Sequence, residues 1–261
     1  DGRIGGTTPI ASLTTDAGGT SELDSDIDAQ GGTITFNDPV ELTSSITMTD
    51  SGGSGLKFAD TVEGAHNLTL NVSDATIFQG AVGDSGAGLT PVGDGTGAAI
   101  TINSDGNTEF QETVETGSGI EQSDGAGEVT FRKDVTIGAG DTATSFGGDV
   151  VLDGLTMDAE NAVIFGSSTA NQDALSTSAA AVTIDTSSSD SAVTVNSETQ
   201  LNQDLTVSAG AGDITVNGEV DGNSALELNS TGVTDIDGRI GGTTPIASLT
   251  TDAGGTSELD S

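Results

Sequence analysis

The side chains best suited to bind a ligand are three alternating carboxylates, Asp24, Asp26 and Asp28. Their spacing presents several hard oxygen atoms close together, which are the ligands that Ca²⁺ prefers. The segment lacks the glycine and the distal glutamate of an EF-hand loop. Two interpretations therefore remain open, a bound calcium ion or an acidic turn that faces solvent. Asp235 and Asp237 have the same two interpretations, and we expect no cofactor other than calcium.

Residues that could support catalysis are scarce. The chain has no Cys, which excludes thiol catalysis, disulfides and thiolate metal sites. The one His, His66, lies in a Gly-Ala-His-Asn segment that predicts an exposed turn. Carboxylate pairs such as Asp149 and Asp153 carry little information, because the chain has 41 Asp and Glu residues. We therefore expect that the protein is not an enzyme.

The charge balance excludes several partners. The formal net charge is −36, with only five basic residues: Arg3, Lys57, Arg132, Lys133 and Arg239. Electrostatic attraction to nucleic acid or to an anionic membrane surface is therefore excluded. No apolar run approaches the roughly 20 residues of a membrane-spanning helix, so no membrane insertion is expected. Such dense negative charge favours a saline, Ca²⁺-rich setting.

The chain begins and ends with the same sequence. Residues 1–25 and residues 237–261 are identical in all 25 letters, at an offset of 236 residues. This identity predicts a head-to-tail array, in which residues 1–236 form one full period and residues 237–261 begin the next copy.

A shorter repeat runs through the period. An apolar residue, three mostly polar residues and Val or Ile recur at the pairs 36/40, 58/62, 78/82, 110/114, 131/135, 216/220 and 236/240. The first residues of these pairs are mostly 20–22 apart, and the longer step from 78 to 110 indicates an insertion at residues 83–99. A coil of about 21 residues would be repeated about 11 times per period.

Short alternating segments predict the strands of each coil. They read Ile-Thr-Phe-Asn at 34–37 and Ile-Thr-Ile-Asn at 100–103, with Gly, Asn, Asp and Ser between such segments. Strands this short form a stable sheet only when coil stacks upon coil. The pattern predicts an all-β fold, a three-sided β-solenoid that advances about 53 Å per period. It also predicts an interior column of five Phe residues and stacked asparagines at the strand ends: Asn37, Asn71, Asn103, Asn196, Asn217 and Asn229.

These repeats resemble those of filamentous haemagglutinin-type surface proteins and other giant bacterial repeat adhesins. The segments ITFNDPVELTSSITM, LKFADTVEGAHNLTLN and TIFQGAVG carry the resemblance. It implies a right-handed parallel β-helix that is extracellular or displayed at the cell surface. No functional residue of that family has a counterpart here, and the lack of basic patches argues against binding of sulfated sugars.

We expect a structural repeat of a long extracellular fibre, whose main partner is another copy of itself. The alternative is an adhesin stalk with a repeated face for surface polysaccharide, located at residues 83–99 or at the Ser/Thr-rich residues 167–191. Ice binding through ranks of Thr is a third possibility. The pairs Thr33/Thr35 and Thr47/Thr49 would fit such a face, but the equivalent outward positions elsewhere break the rank: Lys57, Asn71, Asp185 and Asn196.

Overall fold

The computed structural model describes residues 2–167, 173–252 and 254–259. Because inward apolar and outward polar side chains alternate, each short segment forms a strand with one buried face, as in Ile34–Phe36. Every named strand pair is parallel, and each strand inside a sheet pairs with the strand one turn earlier and with the strand one turn later. The result is an all-β parallel β-solenoid of about 11 turns, with about 22 residues per turn.

Each turn contributes one strand to each of three faces, which we call faces I, II and III in chain order. Face I is a ten-stranded sheet. Its strands are β1 (Leu13–Thr14), β4 (Ile34–Phe36), β7 (Leu56–Phe58), β10 (Thr76–Phe78), β12 (Thr108–Phe110), β15 (Val129–Phe131), β18 (Val150–Asp153), β21 (Ala174–Ser178), β24 (Glu198–Leu201) and β27 (Val220–Gly222).

Face II is divided into a three-stranded and a seven-stranded sheet, joined by single bridges through Val82 to Val62 and Val114. The first sheet has β2 (Ser21–Leu23), β5 (Val40–Leu42) and β8 (Val62–Glu63). The second has β13 (Val114–Thr116), β16 (Val135–Ile137), β19 (Thr156–Ala159), β22 (Val182–Asp185), β25 (Leu205–Gly210), β28 (Ala225–Ser230) and β30 (Ser248–Thr251).

Face III is an eleven-stranded sheet. Its strands are β3 (Ile27–Ala29), β6 (Ile46–Asp50), β9 (Leu68–Val72), β11 (Ile100–Ile102), β14 (Ile120–Gln122), β17 (Thr144–Phe146), β20 (Val163–Phe165), β23 (Val193–Val195), β26 (Ile214–Val216), β29 (Val233–Ile236) and β31 (Thr256–Leu259). Helix in the described residues is limited to the 3₁₀ turn Ser85–Ala87.

The predicted interior column of aromatic rings is confirmed. Five Phe residues, at 36, 58, 78, 110 and 131, occupy one register position on face I. Their neighbouring rings stack with centroids 4.7–5.3 Å apart and planes within 10°. The step from Phe78 to Phe110 keeps this register, so residues 83–99 are an insertion within one turn.

The short repeat occurs at two different corners of the coil. This finding corrects the expectation that all the repeated pairs occupy equivalent positions. The pairs Phe36/Val40 and Phe131/Val135 connect face I to face II, as expected of equivalent positions. Val216 and Val220, however, connect face III to face I. Ile236 and Ile240 do the same, since Ile240 bridges Val220. The motif therefore indicates a corner of the coil, but which two faces the corner joins depends on the register of the strands.

Candidate functional site

The three carboxylates of the predicted calcium site have separate partners. Asp24 accepts a hydrogen bond from the Ser25 hydroxyl at 2.9 Å, and Asp26 accepts one from the Thr47 backbone N–H at 2.8 Å. Asp28, on β3, lies 3.5 Å from the Arg3 guanidinium. Within the described ranges, no three His, Asp or Glu side chains are grouped so that they could hold a metal ion. Calcium binding by Asp24, Asp26 and Asp28 stays a prediction.

The remaining sequence-predicted acids are also dispersed. Asp149 accepts a hydrogen bond from the Ala174 backbone N–H at 2.8 Å, whereas Asp153 accepts one from Arg132 at 2.8 Å. Asp235 points outward on β29 beside Glu258 of the next turn. The backbone N–H of Asp237 donates to Val216. Asp149 and Asp153 thus contact different groups, Ala174 and Arg132.

The predicted asparagine column exists as two separate pairs. Asn103 donates to Asn71 over 3.0 Å, and Asn217 donates to Asn196 over 2.7 Å. Asn37 instead donates to the Thr15 carbonyl at 2.8 Å. Asparagine side chains therefore tie neighbouring turns together at these places and present no free row of amides.

The insertion at residues 83–99 folds back onto the coil. Its backbone N–H groups at Ser85 and Thr90 donate to Glu115 at 2.7 Å and to Glu63 at 2.8 Å. His66 lies beneath it, because its carbonyl accepts from the Gly93 backbone N–H at 3.0 Å. His66 is consequently half-buried and not the exposed turn residue that the sequence predicts.

Carboxylates form a vertical row on face II that the sequence reasoning missed. Glu22, Glu41 and Glu63 occupy the same outward register position on three successive strands. Strands lie about 4.8 Å apart, so these like charges are close neighbours. The available signal was the glutamate that follows the last residue of the short repeat, at 41, 63 and again at 115.

A second acidic group lies further along face II. Asp158 and Asp185 are register neighbours on β19 and β22. Burial raises the pKa of Asp158, and the charges of Asp185 and Glu160 raise it further. Face II is therefore acidic at both of these places along the rod.

Face I carries the rod's central basic residue. Arg132 bridges three successive turns, since its guanidinium donates to Glu109 and, at 2.8 Å, to Asp153. The hydrogen bond from Arg132 lowers the pKa of Glu109. Arg239 lies 3.9 Å from Glu219, while Lys57 and Lys133 make no ion pair within the part of the chain that the structure describes. Arg132 thus links neighbouring turns through two ion pairs, whereas Lys57 and Lys133 are free to face solvent.

The Thr ranks that ice binding would need are interrupted. Thr47, Thr69 and Thr101 are in register on face III, but Glu121 takes the next position. Lys57 stands beside Thr35, and Asn71 beside Thr49, as the sequence predicts. The surface therefore lacks a long uniform row of hydroxyls at these positions.

A shallow groove of about 260 Å³ lies on face I near its far end. Carboxylates of Glu198, Glu219 and Asp221 line it, beside Thr199 and Thr243. Two backbone N–H groups, of Thr243 and Thr244, donate to Asp221 and lower its pKa. These contacts hold the following loop on the rod.

The most informative surface is the last turn, which repeats the sequence of the first. Ile240 bridges Val220, β30 pairs with β28, and β31 pairs with β29. Leu23 is 7% exposed in the first copy, whereas Leu259, the same residue of the second copy, is 60% exposed. The difference arises because β5 stacks on the strand that holds Leu23. The repeated segment therefore stacks on the preceding turn through Ile240, β30 and β31, and Leu259 lies exposed on the outer edge.

Comparison with protein-family models, curated proteins and solved structures gives no match to this chain. Among the described residues, no helix is long and apolar enough to cross a membrane. Support for a function therefore comes from the geometry of the rod and its ends.

Proposed function

We propose that the chain is one period of a stacked extracellular fibre, and that its function is to span distance. One observation carries the proposal: Ile240, β30 and β31 continue faces I, II and III in parallel register. A copy that joins in this way extends one continuous hydrophobic core and does not form a separate domain. Edge strands of a solenoid are covered by the next repeat, so stacking also protects them from unspecific association.

The surface is consistent with this proposal. Its dense negative charge keeps rods apart in dilute salt, and the lack of Cys leaves the coil independent of the redox state of its surroundings. The resemblance to giant bacterial repeat adhesins supports a location at or outside the cell surface. Self-association along the axis is the principal interaction.

Chains of one, two and three periods test the proposal. We expect rods whose length grows by about 50 Å per period, with a reflection near 4.8 Å from the stacked strands. Electron cryo-microscopy measures both quantities. Rods that bend at every period boundary, or lengths that do not grow in proportion, would refute a continuous fibre.

The second candidate is an adhesin stalk of the haemagglutinin type, with a repeated face for surface polysaccharide. The observation that favours it is the insertion at residues 83–99, a folded segment anchored outside the coil by Glu63 and Glu115. In the other suggested segment, 167–191, residues 168–172 lie outside the described residues. Most of the remainder of that segment belongs to β21 and β22 and the turn that follows them.

Replacing residues 83–99 by a second copy of residues 41–45 separates the two candidates. Val40 and Val82 share one column, as do Ile46 and Ile100, so the five-residue link spans the same corner. A spacer keeps its length and stability after the exchange. An adhesive face loses binding in a polysaccharide array, with the unmodified rod as the control.

A further inference from the structure

The two identical segments of the chain lie on different faces of the solenoid. Leu13 is on face I, whereas its copy Leu249 is on face II. Leu23 is on face II, and its copy Leu259 is on face III. The same shift holds for Ile4, which bridges Ile27 on face III, and for Ile240, which bridges Val220 on face I.

The shift gives the number of turns per period. Face I has ten strands from β1 to β27, and the bridge through Ile240 supplies the eleventh position. Leu249 follows on face II in that eleventh turn. From Leu13 to Leu249 the chain therefore completes ten turns and one additional face. The period of 236 residues corresponds to ten and one-third turns, which refines the expectation of about 11.

Unequal turn lengths explain the fraction. Neighbouring turns on face I differ by 20 residues between Phe58 and Phe78 but by 32 between Phe78 and Phe110. Every face accepts the same inward–outward alternation, so the local sequence of a strand does not determine which face the strand joins. The face is determined by the length of the chain that links the strand to the preceding one. Added over one period, these lengths amount to ten complete turns and one third of a turn.

We propose that, in a head-to-tail array, each further period is rotated about the axis by one face relative to the period before it. In such an array the exposed edge of β30 and β31 is covered by the second turn of the period that they begin, as β4 and β5 cover β1 and β2 in the first period. An interface that joins different surfaces with a fixed rotation generates an open helical filament. Three periods restore the original orientation, so the true axial repeat is about 150 Å.

The rotation determines how the fibre meets its surroundings. The insertion at 83–99 occurs once per period, and so does the basic pair Arg132 and Lys133. Each of these features points in three directions in turn, about 50 Å apart along the axis. The fibre consequently has no single adhesive or acidic side, and neighbouring fibres can approach it equally from any of three sides. This inference rests on the proposed function, since it requires a continuous rod.

Labelling one site per period tests the rotation. The chain has no Cys, so Glu41→Cys in every period of a three-period chain gives one exposed thiol per period for a gold cluster. We expect labels about 50 Å apart along the axis that step by about 120° around it. A second chain with Thr35→Cys and Gln200→Cys, both outward on face I, measures the uniform twist of the rod, which is subtracted.

A matched variant separates the angular step between labels from their axial step. Duplicating residues 114–134 adds one complete turn, because Val114 and Val135 are register neighbours. We expect an axial step longer by about 4.8 Å and an unchanged angular step. Labels on one line, in rods that retain the 4.8 Å reflection, would overturn the rotation and leave the fibre intact. Rods that lack that reflection or bend at period boundaries would overturn the proposed function itself.

Discussion

The solenoid has an aromatic half, residues 34–167, and an aliphatic half, residues 173–259, that hold their turns together differently. All seven Phe residues lie in the first half, and each is at most 1% exposed. After Phe131 the rings continue on face III, where Phe146 meets Phe131 edge-on with planes at 75° and then stacks with Phe165. In the second half, Leu, Val and Ile fill the same three-sided interior.

The strands tend to be longer in the aliphatic half, which lacks aromatic rings. In the aromatic half, β6 and β9 have five residues, but each strand from β10 to β17 has only three. In the aliphatic half, β21 has five residues, while β25 and β28 have six each. Stacked rings contribute about 0.5–1.5 kcal/mol per pair beyond their burial, which compensates for shorter hydrogen-bonded ladders. A coil can thus be secured by its interior or by its strands.

One register column shows the change directly. On face I the five Phe residues are followed by Leu152, Thr177, Leu201 and Gly222 at the same position. Thr177 donates its hydroxyl to the Gln203 carbonyl at 2.8 Å, which satisfies it in the interior. The side chains in this column therefore become smaller along the solenoid, from Phe131 to Gly222.

Truncation of a stacked ring is the strongest way to test this difference. We expect Phe58→Ala to cost about 3–5 kcal/mol, because it removes a buried ring and leaves a cavity. The ring lies between Phe36 and Phe78, so protection of their amides from hydrogen exchange should also fall. Segment-resolved hydrogen exchange measures both effects.

Leu201→Ala is the matched substitution, since Leu201 is fully buried in the same column of face I. We expect a cost of about 2–5 kcal/mol that is confined to its own turn, because no ring connects it to neighbours. Equal spreading of lost protection in both variants would show that the two halves are held together in the same way.

Glycines at strand ends form the next test, because we expect them to matter equally in both halves. Gly64 has φ +123° and Gly222 has φ +137°, conformations that other residues rarely adopt. A Cβ at Gly64 would lie 2.3 Å from the Leu42 carbonyl oxygen, and one at Gly222 would lie 2.2 Å from that of Leu201. We expect either Gly→Ala change to cost at least about 1–3 kcal/mol in thermal unfolding.

The control for this pair is Gly18→Ala, where a Cβ would have no neighbour within 4 Å. That substitution should leave the unfolding temperature unchanged. A loss at Gly64 without one at Gly222 would mean that the tight contact between turns belongs to the aromatic half alone.

The sequence was sufficient to predict the coil, the ring column and the insertion. Each depends on an alternation or a spacing that every turn repeats, as at Phe58 and Phe78. Face assignment could not be obtained in this way. The pairs Phe36/Val40 and Val216/Val220 follow the same apolar pattern but lie at different corners of the coil, because register accumulates over turns of unequal length.

The contacts of single polar side chains were also beyond the sequence. Glu63 and Glu115 look like ordinary solvent-facing acids, yet each holds the insertion by a backbone hydrogen bond. Which acid has a partner depends on the path of a loop that carries no repeat. The three alternating aspartates illustrate the same limit, since Asp26 and Asp28 contact groups on other turns or loops.

Buried polar groups distinguish the two halves once more, with the smallest expected effect. Both halves bury hydroxyls, such as Thr108 and Thr199, but the buried carboxyl groups among the described residues, those of Asp38 and Asp50, lie in the aromatic half. Neither Asp50 carboxylate oxygen has a hydrogen-bond partner of normal geometry among the described residues. Burial raises the pKa of Asp50, the nearby Gly55 backbone N–H offsets part of this rise, and the charge of Asp74 adds to it.

A raised pKa in the folded state means that the native protein binds the proton more tightly than the unfolded chain does. The charged Asp50 therefore destabilises the fold above its folded pKa, and the penalty disappears as the pH falls towards the unfolded value of 3.8. We expect Asp50→Asn to be more stable than the parent at pH 7, with a difference that shrinks as the pH is lowered. Hydrogen exchange should place this gain in the aromatic half only.

Glu109→Gln provides the opposite sign in the same half. The Arg132 hydrogen bond lowers the pKa of Glu109, so the carboxylate stabilises the fold at neutral pH and loses that effect as the pH falls through its folded pKa. The variant should be less stable than the parent at pH 7 and equal to it in acid. If Asp50→Asn also loses stability at pH 7, the buried carboxylate contributes a favourable contact, and the aromatic half does not depend on its rings alone.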